Sequence, residues 1–104
     1  MTLKKRFLKS KPACKVTFHL PKEALKNAKE VKLLGDFNHW DQALGVPMKE
    51  KDGDYSATIE LETGREYQFR YLIDGEKWEN DWEADKYLAT PFGVDNSVVI
   101  ASPQ

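Results

Sequence analysis

The stretch GDFNHWD at residues 35–41 follows the apolar run VKLL at residues 31–34. The apolar run is typical of a strand, and the Gly, Asp and Asn that come next predict the end of that strand and a tight loop. Tryptophan is mostly buried, but at binding surfaces it also provides flat apolar area with a polar handle. The stretch therefore predicts one of two arrangements. Either one of Phe37 and Trp40 closes the core while the other points outward, or both lie in the core.

Segments in which apolar and polar residues alternate lie on both sides of this loop, at residues 14–20, 55–61 and 66–73, and a last strand is expected at 97–101. A period of two predicts half-buried strands. The residues expected to face the core are Cys14, Val16, Phe18, Leu20, Tyr55, Ala57, Ile59, Leu61, Tyr67, Phe69, Tyr71 and Ile73. Glycine-containing turn signals separate these segments. The pattern predicts an all-β fold, an antiparallel β-sandwich of about seven to eight strands with no long helix.

The remaining segments carry loop signals. Residues 22–30 predict a loop with at most one or two helical turns, and Pro47 opposes a central strand at residues 45–48. Residues 76–86 are acidic, but an EF-hand-type calcium loop needs a glycine after its third ligand, where Lys86 stands. We therefore expect a solvated acidic loop without a metal, and we expect His19 to be a solvated strand residue.

Length and composition limit the classes of protein to consider. The chain has 104 residues, which makes one domain and is too short for a catalytic α/β barrel of about 250 residues. The apolar fraction of 40% with 12% aromatic residues is typical of a folded domain. The net charge of −1 provides no global field that would recruit nucleic acid or a membrane. Cys14 is the sole cysteine, so no intramolecular disulfide is possible, and a small buried apolar role fits a reducing compartment.

The N-terminal residues 1–12 are rich in lysine and arginine. No apolar run of signal-peptide length follows them, so we expect no export and a cytoplasmic protein. We expect residues 1–12 to form a basic N-terminal arm, frayed or loosely docked, and residues 13–104 to form the folded domain.

Three motifs give the chain a family resemblance. They are GDFNHWD at 35–41, YQFRYLIDG at 67–75 and FGVDNSVV at 92–99. In this order they resemble carbohydrate-binding module family 48, which includes the N-terminal early-set domains of isoamylases and branching enzymes and the glycogen-binding domain of the AMP-activated kinase β subunit. The resemblance covers about residues 14–101, nearly the whole chain. It implies an immunoglobulin-like, early-set sandwich that binds α-1,4-glucans without a cofactor, here as a stand-alone, bacterial-type small protein.

The resemblance also implies a set of sugar-binding residues. Trp40 and Trp78 match the family's two stacking tryptophans, because flat aromatic rings cover the apolar faces of glucose. Arg70 stands where the family has a lysine that bonds sugar hydroxyls, and we expect it to stack on a tryptophan as well. Asn96 matches an asparagine that bonds hydroxyls, and Phe92 matches an apolar residue that contacts the sugar.

The chain departs from the family pattern at three points. Arg70 replaces the lysine, Val94 replaces a hydroxyl-bearing threonine, and the turn before Trp78 is one residue longer than in the kinase β subunit. A missing hydrogen bond at Val94 corresponds to roughly 0.5–1.5 kcal/mol of binding free energy. Trp82 has no counterpart in the family, and three roles stay open for it: capping the core, extending the aromatic platform or contacting another chain.

Two functions from different classes follow. The first is a non-catalytic module for glycogen, starch or maltooligosaccharides. No pair of carboxylates lies in a recognisable catalytic motif, so we expect a glycoside hydrolase label to be inherited from multidomain relatives. The alternative is an early-set protein-interaction module that docks on a glucan-metabolising enzyme with weak or no sugar binding. Exposed, roughly coplanar Trp40 and Trp78 around Arg70 and Asn96 would favour the first, and burial of both tryptophans would favour the second.

Overall fold

The structure is a computed structural model that describes residues 3–25 and 27–102. Its strands are β1 (Leu3–Phe7), β2 (Ala13–Leu20), β3 (Val31–Gly35), β4 (Val46–Pro47), β5 (Lys49–Lys51), β6 (Asp54–Glu62), β7 (Arg65–Ile73), β8 (Lys77–Glu79), β9 (Lys86–Ala89) and β10 (Asp95–Ala101). Three short 3-10 turns, Lys22–Ala24, Asp36–Asn38 and Gln42–Leu44, make up the helical content of the described residues. The predicted all-β fold without a long helix is confirmed. The strand number is ten among the described residues, because short segments pair at the sheet edges.

The strands form two antiparallel sheets. One sheet has four strands in the order β1-β2-β6-β5, and the other has the order β4-β3-β7-β10-β9 with β8 also paired to β7. Strand β7 is central to the larger sheet: β3 lies along one side of it, while β10 and β8 share the other side. Side chains of β7 therefore alternate between the space between the sheets and the outer face of the six-stranded sheet.

The core lies between the two sheets and contains the residues that the alternation predicts. On β2, the four inward residues from Cys14 to Leu20 are fully buried, and on β7 the four from Tyr67 to Ile73 are buried. Phe18 packs edge-on against Phe69 with ring centroids 4.9 Å apart. Burial raises the pKa of the Cys14 thiol. Among the predicted inward residues of β6, Ala57 and Ile59 are partly buried and pack against this core.

The N-terminal segment differs from its prediction, because Leu3–Phe7 is a strand and not a basic arm. It pairs with β2 from Leu3 opposite Phe18 to Phe7 opposite Cys14. Leu3 is 4% exposed and Phe7 packs against the core. Lys5 lies on the same inward side and reaches the carboxylate of Asp85 at 2.6 Å. The lysine at this middle inward position conceals the alternation in the sequence, so the arm predicted for residues 1–12 is wrong for residues 3–7.

The acidic segment at residues 76–86 is also more ordered than predicted. It begins with strand β8, and Asp81 is 1% exposed, so the prediction of a fully solvated loop is wrong. The Tyr71 hydroxyl donates to Asp81 Oδ2 at 2.6 Å, and Asp81 N donates to Ser97 Oγ at 2.9 Å. Burial, together with the neighbouring Asp81 carboxylate, raises the pKa of Tyr71 well above its ordinary value. These bonds tie the segment to the edge of the core.

The predictions for residues 22–30, Pro47 and His19 are confirmed where the structure describes them. Residues 22–30 contain one 3-10 turn, and Lys26 lies outside the described residues. Pro47 lies on the edge strand β4, where its missing N–H disturbs no ladder. His19 lies 3.3 Å from Asp54 on the outer side of β2. Within residues 3–25 and 27–102, no group of three or more acidic, histidine or cysteine side chains could hold a metal, and no helix is long and apolar enough to cross a bilayer.

Candidate functional site

The loop that follows β3 is held in shape by its own polar side chains. Asn38 is buried; its Oδ1 accepts from Gly35 N at 3.0 Å, and its Nδ2 donates to the carbonyls of Leu33 and Leu44. Asp41 Oδ1 accepts from Ala43 N and caps the next 3-10 turn. Asn38 and Asp41 therefore each satisfy backbone groups of this loop.

Gly35 marks a close approach between this loop and β7. A Cβ atom at Gly35 would lie 2.4 Å from the carbonyl oxygen of Gln68 and 2.9 Å from Phe69 Cβ. Strand β3 ends here, with Gly35 opposite Phe69. The chain then turns away, and Asp36 takes over the pairing, because its Oδ2 accepts from Gln68 N at 2.8 Å. Only glycine allows the loop to begin this close to the sheet.

The two aromatic residues of the loop point in different directions. Phe37 packs against the core, with its ring centroid 5.9 Å from that of Phe18. His39 and Trp40 both have φ of 59°, the left-handed region that costs a non-glycine residue roughly 1–2 kcal/mol. This consecutive pair turns Trp40 outward, where it is half-buried. Of the two arrangements left open by the sequence, the one with Phe37 in the core and Trp40 outside is the correct one.

Trp40, Trp78 and Arg70 form a cluster on the outer face of the six-stranded sheet. Trp78 lies opposite Leu72 in the β7–β8 pair, which places it on the same face as Arg70. The two indole centroids are 6.1 Å apart and their planes are tilted by 58°. The Arg70 guanidinium carbon is 5.6 Å from the Trp40 ring centroid and 4.8 Å from the Trp78 ring centroid.

The Arg70 guanidinium therefore packs against both indole rings. It contacts the π face of each ring, and such contacts stabilise by about 0.5–2 kcal/mol each depending on exposure. Burial lowers the pKa of the guanidinium, which nevertheless keeps its charge at neutral pH. Trp78 is 37% exposed. The flat, coplanar platform expected from the sequence is therefore absent, and the two rings are not both buried either; they are inclined to each other, with the Arg70 guanidinium packed against both.

Two polar atoms beside this cluster are buried without a partner. Asn96 Nδ2 donates to Gln68 Oε1 at 3.0 Å, which leaves Asn96 Oδ1 as the free acceptor. Neither Asn96 Oδ1 nor Arg70 Nε has a hydrogen-bond partner among the described residues. A buried polar atom without a partner carries a desolvation penalty of about 1–3 kcal/mol. A polar ligand that both donates and accepts would remove that penalty at both atoms.

Phe92 stands at the tip of a tight loop and is 87% exposed. Thr90 shapes this loop: its backbone N and its Oγ1 both donate to Val94 O, at 3.0 and 2.6 Å, and its Oγ1 accepts from Phe92 N at 3.3 Å. The loop is anchored at its base, so an apolar ring is held in solvent. Phe92 and Val94, which is 48% exposed, give this loop an exposed apolar surface.

These segments enclose an open groove of about 580 Å³. Its lining residues are Asp36, Trp40, Gln68, Arg70, Ala89, Thr90, Pro91, Phe92 and Asn96. Four of the five residues singled out from the sequence line it, and the fifth, Trp78, stands beside it against Trp40 and Arg70.

Sequence reasoning missed five residues of this groove and left the role of Trp82 open. The missed residues are Asp36, Gln68, Ala89, Thr90 and Pro91. Asp36 had a signal as the first residue after the strand, and Gln68 had one as the neighbour of Arg70 on the same strand face. Trp82 is 51% exposed and its Nε1 donates to Glu79 Oε2 at 3.0 Å, so it does not cap the core.

Comparisons with known proteins agree with this architecture. The sequence profile of the family described as the glycogen recognition site of AMP-activated protein kinase matches residues 9–101. A comparison with curated proteins found no match.

Solved esterase structures share the fold. Enterochelin esterase from Shigella flexneri superposes with a TM-score of 0.72 at 12% identity, over 96% of this chain and 33% of that one. The enterobactin esterase from the same organism, in the presence of 2,3-dihydroxy-N-benzoyl-serine, gives 0.71 at 11% identity, over 99% and 34%. The chain spans about a third of the length of these esterases, and the likeness concerns the fold alone.

Proposed function

Because this chain belongs to the family of the glycogen recognition site of AMP-activated protein kinase, we propose that it is a non-catalytic module that binds α-1,4-glucans. Glycogen, starch and maltooligosaccharides are the ligands of this class. The observation that carries the proposal is the tilted pair of Trp40 and Trp78 around Arg70, beside the unpartnered oxygen of Asn96. We also propose that the protein acts in the cytoplasm, which the single, buried Cys14 fits.

The tilt between the tryptophans favours a curved chain over a flat one. Successive glucose units of an α-1,4-glucan turn relative to each other, whereas those of a β-1,4-glucan form a flat ribbon. Two rings inclined by 58° can each contact a different unit of a curved chain, and a flat ribbon could lie on only one of them. Apolar area buried on each ring contributes roughly 25 cal/mol per Å².

The polar atoms of the groove suit a vicinal diol. After a small shift of the Arg70 and Asn96 side chains that uncovers these buried atoms, one hydroxyl can donate to Asn96 Oδ1 while another accepts from Arg70 Nε, since a hydroxyl group does both. Arg70 covers one face of each indole, so the glucan stacks on the remaining exposed faces and extends toward Phe92. A planar guanidinium offers a fixed fork of donors where a lysine would offer a mobile point charge.

Absence of catalysis is part of this proposal. Glycoside hydrolysis uses two carboxyl groups that flank the scissile bond. Among the described residues that line the groove, Asp36 is the one carboxylate, and it accepts hydrogen bonds from Trp40 Nε1 and Gln68 N. Purified protein incubated with glycogen should release no reducing sugar, and release that stops on mutating a single carboxylate would overturn this part of the proposal.

A second candidate function is docking on a larger enzyme of glucan metabolism. Two observations favour it: the apolar residues Phe92 and Val94 are 87% and 48% exposed, and the structures that share the fold contain it as about a third of a longer enzyme chain. In this candidate, the exposed apolar rim contacts protein and the sugar affinity is weak or absent.

Titration with maltoheptaose separates the two candidates. Glucan binding should shift the indole N–H signals of Trp40 and Trp78 and the side-chain amide signals of Asn96 in a two-dimensional NMR spectrum, and should change tryptophan fluorescence. Cellohexaose, the flat β-linked counterpart, should produce much smaller shifts. No shift at millimolar maltoheptaose, or shifts confined to the four-stranded sheet, would rule out the proposed groove.

A further inference from the structure

We propose that Asp36 is a positioning residue that fixes the Trp40 ring and, through Gln68, the Asn96 amide. The inference rests on the proposed glucan-binding function of the groove. One carboxylate would thereby set both the aromatic half and the polar half of the site. Nothing in the family resemblance assigns a role to this residue.

The two oxygens of Asp36 bond two different parts of the molecule. Oδ1 accepts from Trp40 Nε1 at 3.0 Å, and Oδ2 accepts from Gln68 N on β7 at 2.8 Å. The first bond reaches a side chain of the loop, and the second reaches the backbone of the sheet. The carboxylate therefore links the Trp40 indole to the central strand β7 and fixes the position of the ring relative to that strand.

Gln68 passes this positioning on to Asn96. The backbone N–H of Gln68 is held by Asp36, while its side-chain Oε1 accepts from Asn96 Nδ2 at 3.0 Å. This bond uses the donor end of the Asn96 amide, so the acceptor Oδ1 is left buried without a partner among the described residues. The orientation of the Asn96 amide that a sugar hydroxyl would meet therefore depends on the position of Gln68, whose backbone N–H Asp36 holds.

A simple turn-forming role does not account for these contacts. The 3-10 turn that begins at Asp36 has Gly35 at its N-cap, and Asn38, not Asp36, bonds the backbone of Gly35. The bonds of the Asp36 carboxylate run to the indole and to β7 instead. The Trp40 backbone is in the left-handed region, and a non-glycine residue adopts this conformation only when surrounding contacts hold it there. Pre-organising the ring avoids the entropy cost of ordering it on binding.

The variant Asp36→Asn tests this link with little change in shape. An amide can accept on one side only, so it cannot serve both donors. We expect the Trp40 indole N–H signal to shift and its hydrogen exchange to accelerate in the absence of sugar, and the Asn96 amide signals to move. We expect the affinity for maltoheptaose to fall about tenfold, the effect of losing a hydrogen bond to a charged group.

Glu79→Gln is the matched control. Glu79 Oε2 accepts from Trp82 Nε1 at 3.0 Å, the same distance as that between Trp40 Nε1 and Asp36 Oδ1. Unlike Asp36, Glu79 lies outside the groove. This variant should shift the Trp82 indole signal alone and leave maltoheptaose affinity unchanged. Unequal responses of the two indoles to the two variants would support the assignment.

Two results would overturn the proposal. One is an Asp36→Asn variant in which the Trp40 indole signal and its exchange rate match those of the parent. The other is a folded Asp36→Asn variant that binds maltoheptaose as tightly as the parent. Should Asp36→Asn fail to fold, Trp40→Phe takes its place, because it removes the indole donor, together with part of the ring area, and leaves the bond from Asp36 to β7; parental affinity in that variant would also overturn the proposal.

The outcome for Asp36 is distinguishable from that for the glucan site. The indole signal and its exchange are measured without ligand, so they test the positioning even if the parent binds no glucan. Conversely, a parent that binds maltoheptaose together with an unmoved Trp40 indole would sustain the proposed function and reject the role of Asp36.

Discussion

The outer faces of the two sheets differ in what covers them. On the four-stranded sheet the outward residues are polar and solvated: Lys4, Arg6 and Lys15 are exposed, and the hydroxyls of Thr17 and Thr58 lie 2.8 Å apart. On the six-stranded sheet, the outward-facing Leu34, Leu72 and Val98 are at most 2% exposed, although they lie outside the main core cluster. The outer face of the four-stranded sheet is in contact with solvent, while that of the six-stranded sheet is buried under a further layer of the chain.

That further layer consists of loops, which contribute Trp40 and Phe92 to the candidate site, while Arg70, Trp78 and Asn96 lie on strands of the sheet. A Cβ atom at Gly45 would lie 3.4 Å from Leu34 Cγ, so the loop after β3 passes directly over this strand. Trp78 of β8 lies opposite Leu72. Loops that bury apolar residues on a sheet are held in place by that burial, and they can then present tryptophans in a fixed arrangement. The comparison indicates why the groove lies on this face and not on the other.

The largest expected effect is on the tryptophans. Trp40→Ala and Trp78→Ala should each weaken maltoheptaose binding by about 2–3 kcal/mol, roughly 100-fold, because a ring face of about 100 Å² is lost. In a weak binder this abolishes measurable binding. Calorimetric or NMR titration checks the affinity, and thermal unfolding checks that both variants still fold.

Lys15→Ala on the opposite sheet face is the matched control for this prediction, and it should bind like the parent. If Lys15→Ala lost as much affinity as the tryptophan variants, the assignment of glucan binding to the outer face of the six-stranded sheet would be wrong. If both tryptophan variants unfolded, their rings would belong to the packing of the sheet, and the docking function would be favoured.

The second effect separates the inward and outward sides of β7. Tyr71→Phe removes the buried hydroxyl that donates to Asp81 Oδ2 at 2.6 Å. Loss of a hydrogen bond to a charged group should lower the free energy of unfolding by about 1.5–3 kcal/mol. Urea denaturation measures this, and maltoheptaose affinity at low temperature should be unchanged. A loss of affinity without a loss of stability would contradict the separation of the two sides.

A somewhat smaller effect is expected at Arg70, which packs against both indoles. Arg70→Ala should weaken glucan binding by about 1–3 kcal/mol, since it removes a charged donor and the support of both rings. Arg70→Lys, which restores the residue typical of the family, should lose less. Titration of both variants checks the ranking, and an alanine variant with parental affinity would show that Arg70 does not contact the sugar.

The smallest effect concerns the exposed Val94 near the groove. Val94→Thr introduces the hydroxyl of the threonine that the kinase β-subunit domain has at this position, so we expect affinity to rise by about 0.5–1.5 kcal/mol. The substitution nearly conserves volume, and Val94 is 48% exposed, so stability should stay within about 0.5 kcal/mol of the parent. A titration that gives unchanged or weaker affinity would place the sugar away from this residue.

The strands that sequence analysis found have apolar residues at alternate or consecutive positions. The alternation in β2 and β7 has a period of two because a half-buried strand needs it. Strand β9 was missed because its four residues, Lys86–Ala89, are all exposed. An edge strand of this kind is held mainly by hydrogen bonds to its neighbour β10, and such bonds leave no apolar period in the sequence.

The sequence by itself determined the fold class and the inward residues of the main strands, and its family resemblance singled out Trp40, Arg70, Phe92 and Asn96, which line the groove. It left open which of Phe37 and Trp40 faces the core, and it did not reveal the link made by Asp36. Only the tertiary structure decided these points. The reason is that they depend on distances between segments far apart in the chain, such as Asp36 and Gln68, and strand register sets these distances, whereas local alternation reports only which face of a strand is buried.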